Sequence, residues 1–582
     1  MSTELSTAHA SHIRAPGRAA AGSWKLGLCT LALLAASPNA LAQQVPGPGG
    51  QGGGLLQQIP PPPALQQSIP EIRIQRGEVP SNLAPGGITI LVNSLHITGE
   101  TKFSEAELIA ATGFRPGELD LAGLRTLAAR ITDYYNSRGY FLAQAYLPAQ
   151  DITGGAVTIA VIEGRYGQIS LRNSTNLSNA LANNILEGLN SGDVIAIGPL
   201  ERRLLLLSDI PGVQINSTLT PGAAVGTSDL IVEVTPGQRV TASIEGDNEG
   251  NYYTGEYRVS GTVNLNDPLG IGDVLSLRAL ASTTGGLYYG RASYQAQIDK
   301  LTVGVSYASL LYRLGKNFAA LDARGYANIA SVYASYPLIR SRNDNLYALA
   351  SANYEMFHDT IGATSTVTNK DADTGTVGIA GNHHDTLGGG GADSYSLNYT
   401  FGKLDIQTDA ARALDLATAR SNGGYGKLTY EADRLQTLTG PWSLFGEVRG
   451  QIASKNLDEY EKMELGGAYG VRAYPEGEAY GDEGYILTGE IRLALPNFVP
   501  RLPGQMQLAA FVDTGSVTLD KNPWVAGPNT RTLSGAGIGF TWSATNNFFL
   551  TAFYAHRLGN APITAAPDHN WGIVGVQLSK FF

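Results

Sequence analysis

Residues 485–495 read "YILTGEIRLAL". Tyr485, Leu487, Ile491, Leu493 and Leu495 fall on one side of an extended chain, and Thr488, Glu490 and Arg492 on the other. That is the period of a strand with one apolar and one polar face. The pattern continues outward. In "WSLFGEVRGQI" (442–452), Trp442, Leu444, Val448 and Ile452 oppose Ser443, Glu447, Arg449 and Gln451. In "KLTYEAD" (427–433), Leu428, Tyr430 and Ala432 oppose Lys427, Thr429, Glu431 and Asp433. As far back as "GEYRVSGTVNL" (255–265), Tyr257, Val259, Val263 and Leu265 share one face. From residue 238 to the C-terminus no helical period appears.

Two architectures alternate in this way. A soluble sandwich turns the apolar face inward, whereas a membrane barrel turns it toward lipid and keeps a wet interior. Three features favour the barrel. The region holds about sixteen such segments, many as long as a tilted bilayer crossing needs. Tight connections such as "DPLGIGD" and "IDK" alternate with long polar ones. The chain ends on Phe582, closing a strand that begins at Trp571, so Phe582 is read as the C-terminal barrel signal. Counting back, Lys580, Leu578, Val576 and Val574 face outward; Lys580 departs from the apolar rule at a boundary where lysine can snorkel. Only 15% of residues are charged, while Gly numbers 71 and Tyr 28. Mean hydropathy is nevertheless near zero, which argues against a helical membrane protein. The net charge of −10 gives no hint of a nucleic-acid partner.

The N-terminus points to a compartment. Arg14, Arg18 and Lys25 precede "LGLCTLALLAA", and "ALA" at 40–42 offers a small-x-small cleavage site. Residues 1–42 are therefore predicted to be a removed signal peptide; the apolar run is too short for a bilayer span. Cys29, the only cysteine, lies inside it, so the mature chain is expected to carry no disulfide, no thiolate metal site and no thiol nucleophile. Residues 43–86, rich in Pro and Gly, read as an extended linker. Their formal G-x-G-x-x-G (Gly47, Gly49, Gly52) lacks the strand and helix that a dinucleotide site requires.

Between linker and barrel, one small pattern occurs twice. "GITILVNSLHITG" (87–99) reads as a strand, and Ser104 with Glu107 as a capping box opening a short helix. A second helix follows, with Leu124, Leu127, Ile131 and Tyr134 or Tyr135 at helical spacing and Gly139 as its stop. "YFLAQAYLP" and "AVTIAVIEG" complete a β-α-α-β-β unit over 87–164. The order recurs over 165–237, where Pro199 sits in the first turn of the helix "PLERRLLLLSDI".

A β-α-α-β-β module of this size resembles the POTRA domain. Two of them before a barrel (238–582) resemble the outer-membrane transporters of two-partner secretion, the TpsB family of ShlB, FhaC and HecB types. The most specific carriers are "GVRAYPEGEAYGDEG" (470–484), "NDPLGIGD" (266–273), "EGDNEGNYYTG" (245–255) and "FVDTG" (511–515). The fold class expected is thus α+β POTRA modules followed by an all-β transmembrane barrel of about sixteen antiparallel strands. The resemblance places 470–484 on a long extracellular loop that folds back into the lumen, between the eleventh and twelfth strands. Its loop motif falls on Val471, Tyr474, Pro475, Gly477, Glu478, Gly481, Asp482 and Gly484, and its strand motif on Phe511 and Gly515. It also pairs a loop arginine with a strand acid, here Arg472 with Asp513. Parity supports the pair: if Met506, Leu508, Ala510 and Val512 face lipid, Phe511 and Asp513 point inward. The family superfamily usually has Gly after the arginine; here Ala473 follows, which restricts the tip backbone.

The resemblance implies a pore in the bacterial outer membrane, with POTRA modules in the periplasm. It would bind an unfolded exoprotein carrying an N-terminal secretion domain and export it to the cell surface or medium. Its other implied partners are outer-membrane lipid and the barrel-assembly machinery that inserts it. A barrel-assembly factor of the same superfamily and a diffusive porin are the alternatives. The chain is read as a non-enzyme without cofactor. "HHD" (383–385) is the only cluster resembling a metal site, but neighbours on a strand point to opposite faces, and its Gly-rich surroundings suggest an exposed loop. "LLQQIPPPPALQQ" cannot form a long plug helix; at most a short helix near 54–58 is expected.

Overall fold

The computed structural model describes residues 52–60, 70–74, 89–496, 503–568 and 570–582. The signal peptide predicted at 1–42 lies outside the described residues, with Cys29 and much of the 43–86 linker. Two pieces of that linker carry secondary structure among the described residues. Gly52–Gln57 forms a short helix, α1, and Glu71–Ile74 a strand.

In the first α/β unit, strand Ser94–Thr98 runs parallel to Ala156–Ile162, which pairs antiparallel with Gln144–Tyr146. Helices α2 (Glu105–Thr112) and α3 (Leu121–Ser137) cover one face. Leu108, Leu124, Leu127, Ile131 and Tyr135 bury there against Val157, Ile159 and Val161. Two local readings change. The stretch 87–99 is broken at Asn93, whose backbone N–H donates to Gly155 O at 2.7 Å and whose side chain donates to Gly154 O at 3.1 Å. Ile90–Val92 consequently leaves the main sheet and pairs with Gly117–Leu119. Only half of the capping box forms: Ser104 Oγ accepts from Glu107 N at 3.3 Å, but the Glu107 carboxylate turns to Tyr134 and Arg138.

In the second unit, Thr227–Pro236 lies between Arg165–Asn173 and Val213–Pro221, under α4 (Asn179–Leu186) and α5 (Ile197–Ser208). The linker strand Glu71–Ile74 adds to the outer edge, parallel to Val213–Pro221, in the register Glu71↔Asn216 to Ile74↔Leu219.

The rest is a closed barrel of sixteen strands, each antiparallel to its neighbours; contrary to the reading of 238–582 as free of helix, the connection after the ninth strand contains one, Asp409–Ala417. They are β1 (Val240–Asp247), β2 (Arg258–Asn266), β3 (Val274–Ser282), β4 (Leu287–Ile298), β5 (Leu301–Arg313), β6 (Ala323–Arg340), β7 (Asp344–Ile361) and β8 (Thr366–Asp385). After them come β9 (Gly391–Ile406), β10 (Gly423–Thr437), β11 (Trp442–Ala453), β12 (Glu483–Leu495), β13 (Gln505–Thr518), β14 (Thr530–Ala544), β15 (Phe548–Arg557) and β16 (Ile573–Phe581). Val259, Val305, Val332, Phe401, Leu444, Ile491, Val512 and Leu578 are exposed on the outside, a continuous apolar belt. The intervening positions turn inward. No described helix is long and apolar enough to cross a membrane; the strands do so. His383–Asp385 end β8 rather than forming a loop, and His383 meets Asp344 at 2.5 Å. Among the described residues no group of His, Cys, Asp and Glu is arranged to hold a metal.

The second unit docks beneath the barrel mouth. Asp209, at the end of α5, takes a two-pronged bond from Arg340 of β6 (2.7 and 2.8 Å), and Glu201 meets Arg342 at 2.7 Å. The "DPLGIGD" turn closes against the same unit: Ser178 N donates to Gly270 O, and Gly270 has φ +77°, with the Asn176 carbonyl 2.3 Å from where a Cβ would sit. No L side chain fits there.

Glu163 ties the two units together. Burial alone would raise its pKa, but bonds from Thr101, Lys102 and Tyr135 outweigh this and lower it. Arg165 of the second unit adds a contact at 3.1 Å. A carboxylate with a lowered folded pKa stabilises above the ordinary carboxylate range, and the contribution is lost as pH falls through the folded value. Glu163→Gln is therefore expected to cost about 1–3 kcal/mol at neutral pH, read as faster hydrogen exchange at Val157–Val161 in the full protein. Wild type and variant should converge as the pH falls; a gap that persists in acid contradicts the assignment.

Candidate functional site

The long connection between β11 and β12, residues 454–482, descends into the lumen. Its fold follows from three buried acids and the backbone they bind. Arg472 reaches β13: Nε and Nη2 each donate to the Asp513 carboxylate at 2.8 Å, and the Arg472 backbone N–H donates to it at 3.2 Å. Thr488 of β12 donates to the same carboxylate at 3.1 Å. Arg472 Nη1 meets Glu490 of β12 at 2.8 Å, and the guanidinium lies 3.4 Å from the centre of the Phe511 ring. One cation is thus held by two carboxylates and an aromatic face, an arrangement that suits a planar guanidinium and not an ammonium.

The second acid, Glu478, accepts from the backbone N–H groups of Thr564 and Ala565 (2.9 and 3.0 Å), from Thr564 Oγ1, and from Arg531. It fastens the loop to the 558–572 connection. The third, Asp482, accepts from Leu457 N and Lys521 N at 3.0 and 2.7 Å and meets Lys462 at 3.2 Å. Apolar contacts fill the space between these bonds. Val471, Ala473 and Tyr474 are buried with Leu465, Phe511, Val517 and Leu533. Tyr474 donates to Ala561 O at 3.3 Å.

Glycines in the motif provide room. Gly477, two residues after Pro475, has φ +81°. Leu465 lies 2.5 Å from where a Gly515 Cβ would sit, and Val517 is as close to Gly481 and 2.7 Å from the equivalent point at Gly484. Ala473 is accommodated by Gly535 of β14: the Ala473 Cβ is 2.3 Å from the point a Cβ at 535 would occupy. Its φ is not in the left-handed region, so the tip needs no glycine there. Phe582 lies at the seam, exchanging backbone bonds with Ala242, and Lys580 reaches Asn547 at the barrel rim.

Two further groups escaped sequence reasoning. Glu490 was read only as an inward side chain; its position opposite Phe511 in the β12–β13 register places it beside Arg472. The other group surrounds α1, which lies inside the barrel. Leu55 is fully buried against Leu310, Ala327, Phe357 and Leu404 on the walls of β5, β6, β7 and β9. Gln57 donates to Tyr460 O at 2.9 Å, and Gln58 to Tyr480 OH at 2.8 Å and Glu464 at 3.2 Å. Arg258 of β2, buried and held by Asp247 at 2.8 Å, donates to Gln58 O at 2.7 Å. The helix is short because Pro60 follows it, and it is seated by Leu55 and Leu56 together with the bonds at Gln57 and Gln58.

Below this assembly, a polar cavity of about 750 Å³ opens between the second α/β unit and the barrel mouth. Pro211–Gln214 line it from one side and Thr262, Asn264, Ser293 and Gln295 from the other. The site can therefore hold a closed lid, and it has a wet entrance.

Comparison with known proteins gives a consistent picture. The family model for the haemolysin secretion/activation proteins ShlB/FhaC/HecB matches residues 226–542, and that for the ShlB-type POTRA domain matches residues 90–164. The chain is 30% identical over 460 residues to the heme/hemopexin transporter protein HuxB of Haemophilus influenzae strain 86-028NP, covering 78% of this chain and 80% of that protein. It is 24% identical over 506 residues to the outer membrane transporter CdiB of Escherichia coli strain 536, covering 83% and 81%. The solved structure of CdiB from Escherichia coli superposes with a TM-score of 0.66 at 21% identity, covering 87% of this chain and 93% of that one, a likeness of fold. With a family model matching more than half of its length, and with this barrel behind a POTRA-like region, the chain belongs to the ShlB/FhaC/HecB family of haemolysin secretion and activation proteins.

Proposed function

We propose that this protein is the outer-membrane pore of a two-partner secretion pair, taking an unfolded exoprotein from the periplasm to the cell surface. The observation that carries this reading is a closed barrel, apolar outside, whose periplasmic mouth opens beside a sheet that accepts an extended segment at its edge. The barrel satisfies its backbone bonds within itself, as a chain in lipid must. The edge strand Val213–Pro221 starts at the vestibule, and within this chain it already pairs with an extended segment, Glu71–Ile74. Backbone pairing of that kind binds many sequences, which suits capture of a chain that has not folded. Residues 87–164 and 165–237 then act as two periplasmic POTRA modules. Outer-membrane lipid meets the apolar belt, and the barrel-assembly machinery inserts the chain.

The pinned loop acts as a lid lock in this reading. Arg472 fastens the lid to the wall through Asp513 and Glu490, and α1 narrows what remains of the lumen. Export needs no catalytic group, and we assign none. The drive is taken to be folding of the exoprotein outside, which removes the return path.

The first test is co-expression with an exoprotein that carries an N-terminal secretion domain. Release into the medium should depend on the chain; release that persists without it contradicts the reading. Asp513→Asn and Glu490→Gln each take one of its two carboxylates from Arg472 and are expected to cut release at least about tenfold, since breaking a buried ion pair costs about 3–5 kcal/mol. Both should still give the heat-modifiable migration of a folded barrel. A folded Asp513→Asn that secretes normally would remove the lock from the mechanism. Arg258→Ala should loosen α1 and raise single-channel conductance in planar bilayers; unchanged conductance would mean α1 does not limit the pore.

A further inference from the structure

The stretch "EGDNEGNYYTG" (245–255) joins β1 to β2, and its Glu249 takes no part in the contacts described so far. β1 and β16 stop pairing at Asp247↔Gln577, and the Asn248 side chain adds one rung. Past that rung, at the end of the barrel away from the second α/β unit, the two edges part. A cavity of about 410 Å³ lies in the gap. Glu249 and Glu256 line it from the β1–β2 connection, Tyr474 and Glu476 from the lid tip, and Phe553 and Trp571 from the far side of the seam.

Glu249 is only 9% exposed. Its backbone N–H donates to Asp247 at 3.0 Å, but among the described residues no donor or cation bonds its carboxylate. A buried carboxylate ordinarily has such a partner. Burial first, and then the neighbouring Asp247, pushes its pKa up to about 7 against the pull of Arg258. The cations nearby are committed elsewhere. Arg472 is held by Asp513 and Glu490, and Arg258 by Asp247 and the Gln58 carbonyl. Lys316 lies 5.0 Å from the centre of the Tyr252 ring and meets no carboxylate among the described residues. Glu476, which accepts from Ala468 N at 3.0 Å, adds a second buried acid to the same cavity.

The remaining lining is aromatic. Phe553 lies over Gly575, 2.1 Å from where a Cβ would sit, so its ring stands in for a wall side chain. Tyr474 and Trp571 offer further rings. An aromatic face attracts a cation, most strongly where water is excluded. A divalent metal such as calcium needs about six to eight oxygen ligands, and among the described residues no group of His, Cys, Asp and Glu is arranged to hold one. An anion would meet two buried acids. An unpaired carboxylate beside aromatic rings instead suits a cation with an apolar body, and the volume lies within the roughly 300–1,000 Å³ range of ligand pockets.

We propose that this cavity is a binding site for an organic cation, a guanidinium or alkylammonium group that pairs with Glu249 and lies against the aromatic lining. The cation takes the place of the proton that the buried carboxyl otherwise holds. Because Tyr474 and Glu476 belong to the lid tip, the site is complete only while the lid is pinned, and an occupant bridges the lid and the edge of the seam. The recognition is the same whether the group belongs to a small free molecule or to a side chain of a polypeptide outside the barrel.

The test titrates the full chain in detergent with Nα-acetylarginine amide and with its uncharged isostere, Nα-acetylcitrulline amide. Binding is read from tryptophan fluorescence, and Trp571→Phe identifies the part of the signal that comes from the cavity. The arginine compound should bind at least about tenfold tighter, as a hydrogen bond to a buried charge allows. Glu249→Gln should abolish that preference. Glu256→Gln, at the exposed rim, should reduce it about threefold, and Asp344→Asn at the far end of β7 should leave it intact. Folding of every variant is checked by heat-modifiable migration; should Glu249→Gln not fold, an unchanged preference in Glu256→Gln overturns the site. Agmatine and a Gly-Ser peptide bearing one arginine separate the sources. Tighter binding of agmatine assigns the site to a small free cation and tighter binding of the peptide to a polypeptide side chain, and either supports it. Equal affinity for the arginine and citrulline compounds, a preference that survives in folded Glu249→Gln, or displacement of the arginine compound by an equal concentration of calcium chloride would overturn the proposal.

Discussion

Closure is the constraint on which this structure depends. In hydrocarbon an unpaired backbone N–H or C=O has no water to turn to, so a sheet can span the bilayer only if its first strand meets its last. Here β1 pairs with β16 from Ser243↔Phe581 to Asp247↔Gln577, a shorter seam than the neighbouring pairs. Two devices lengthen it. At the periplasmic end, Ala242 and Phe582 exchange backbone bonds at 3.2 and 2.9 Å. At the other end the Asn248 side chain imitates a further residue of the ladder, accepting from Val576 N at 2.7 Å and donating to Val574 O at 2.9 Å. An amide side chain offers an N–H donor and a carbonyl acceptor side by side, as a peptide group does, so it can extend the ladder by one rung.

Once closed, a sixteen-stranded barrel encloses more space than its own side chains can fill. The loop between β11 and β12 and the helix α1 occupy the remainder, and both are held by polar bonds at their edges and apolar contacts at their centres. A uniformly apolar interior would exclude water and hold them by burial alone. Buried ion pairs give orientation at a cost in desolvation, and the cation–π contact of Arg472 on Phe511 offsets part of it, with such contacts worth about 2 kcal/mol when desolvated.

Much of the barrel was legible because period-two alternation survives whatever the loops do. Tyr257, Val259, Leu444, Leu487 and Leu508, read as outward from parity alone, are exposed on the barrel surface. Polar neighbours were harder to place. Parity says that Glu490 points inward but not which cation it meets, since that depends on a register across two strands and a loop. Single-strand readings also failed where a side chain competes with the backbone. Asn93 breaks a hydrophobic run because its amide and N–H bind the 154–155 turn, a partner sixty residues away in sequence that local pattern cannot reveal. His383–Asp385 were misread because flanking glycines suggest a loop, whereas β8 runs through them on pairing with Asp344 and Asp393 at its ends. The linker is the clearest case: Leu55–Leu56 and the EIRI strand carry little intrinsic preference, and both are ordered by surfaces that other parts of the chain supply.

The Ala473–Gly535 contact shows how such long-range compensation works at one residue. A glycine after the arginine would leave a gap beside β14, and an alanine there would ordinarily collide with the wall. Gly535 lacks the Cβ that would stand 2.3 Å from that of Ala473, so the methyl group fits where a wall side chain is missing. The volume has moved from wall to loop, and the loop keeps an ordinary backbone conformation with less freedom than glycine would have when unpinned. Replacing Gly535 with alanine would demand the space twice, pushing the tip off the wall and lengthening the bonds of Arg472 to Asp513. The geometry of the lock is therefore set as much by an empty position on β14 as by the charges that close it.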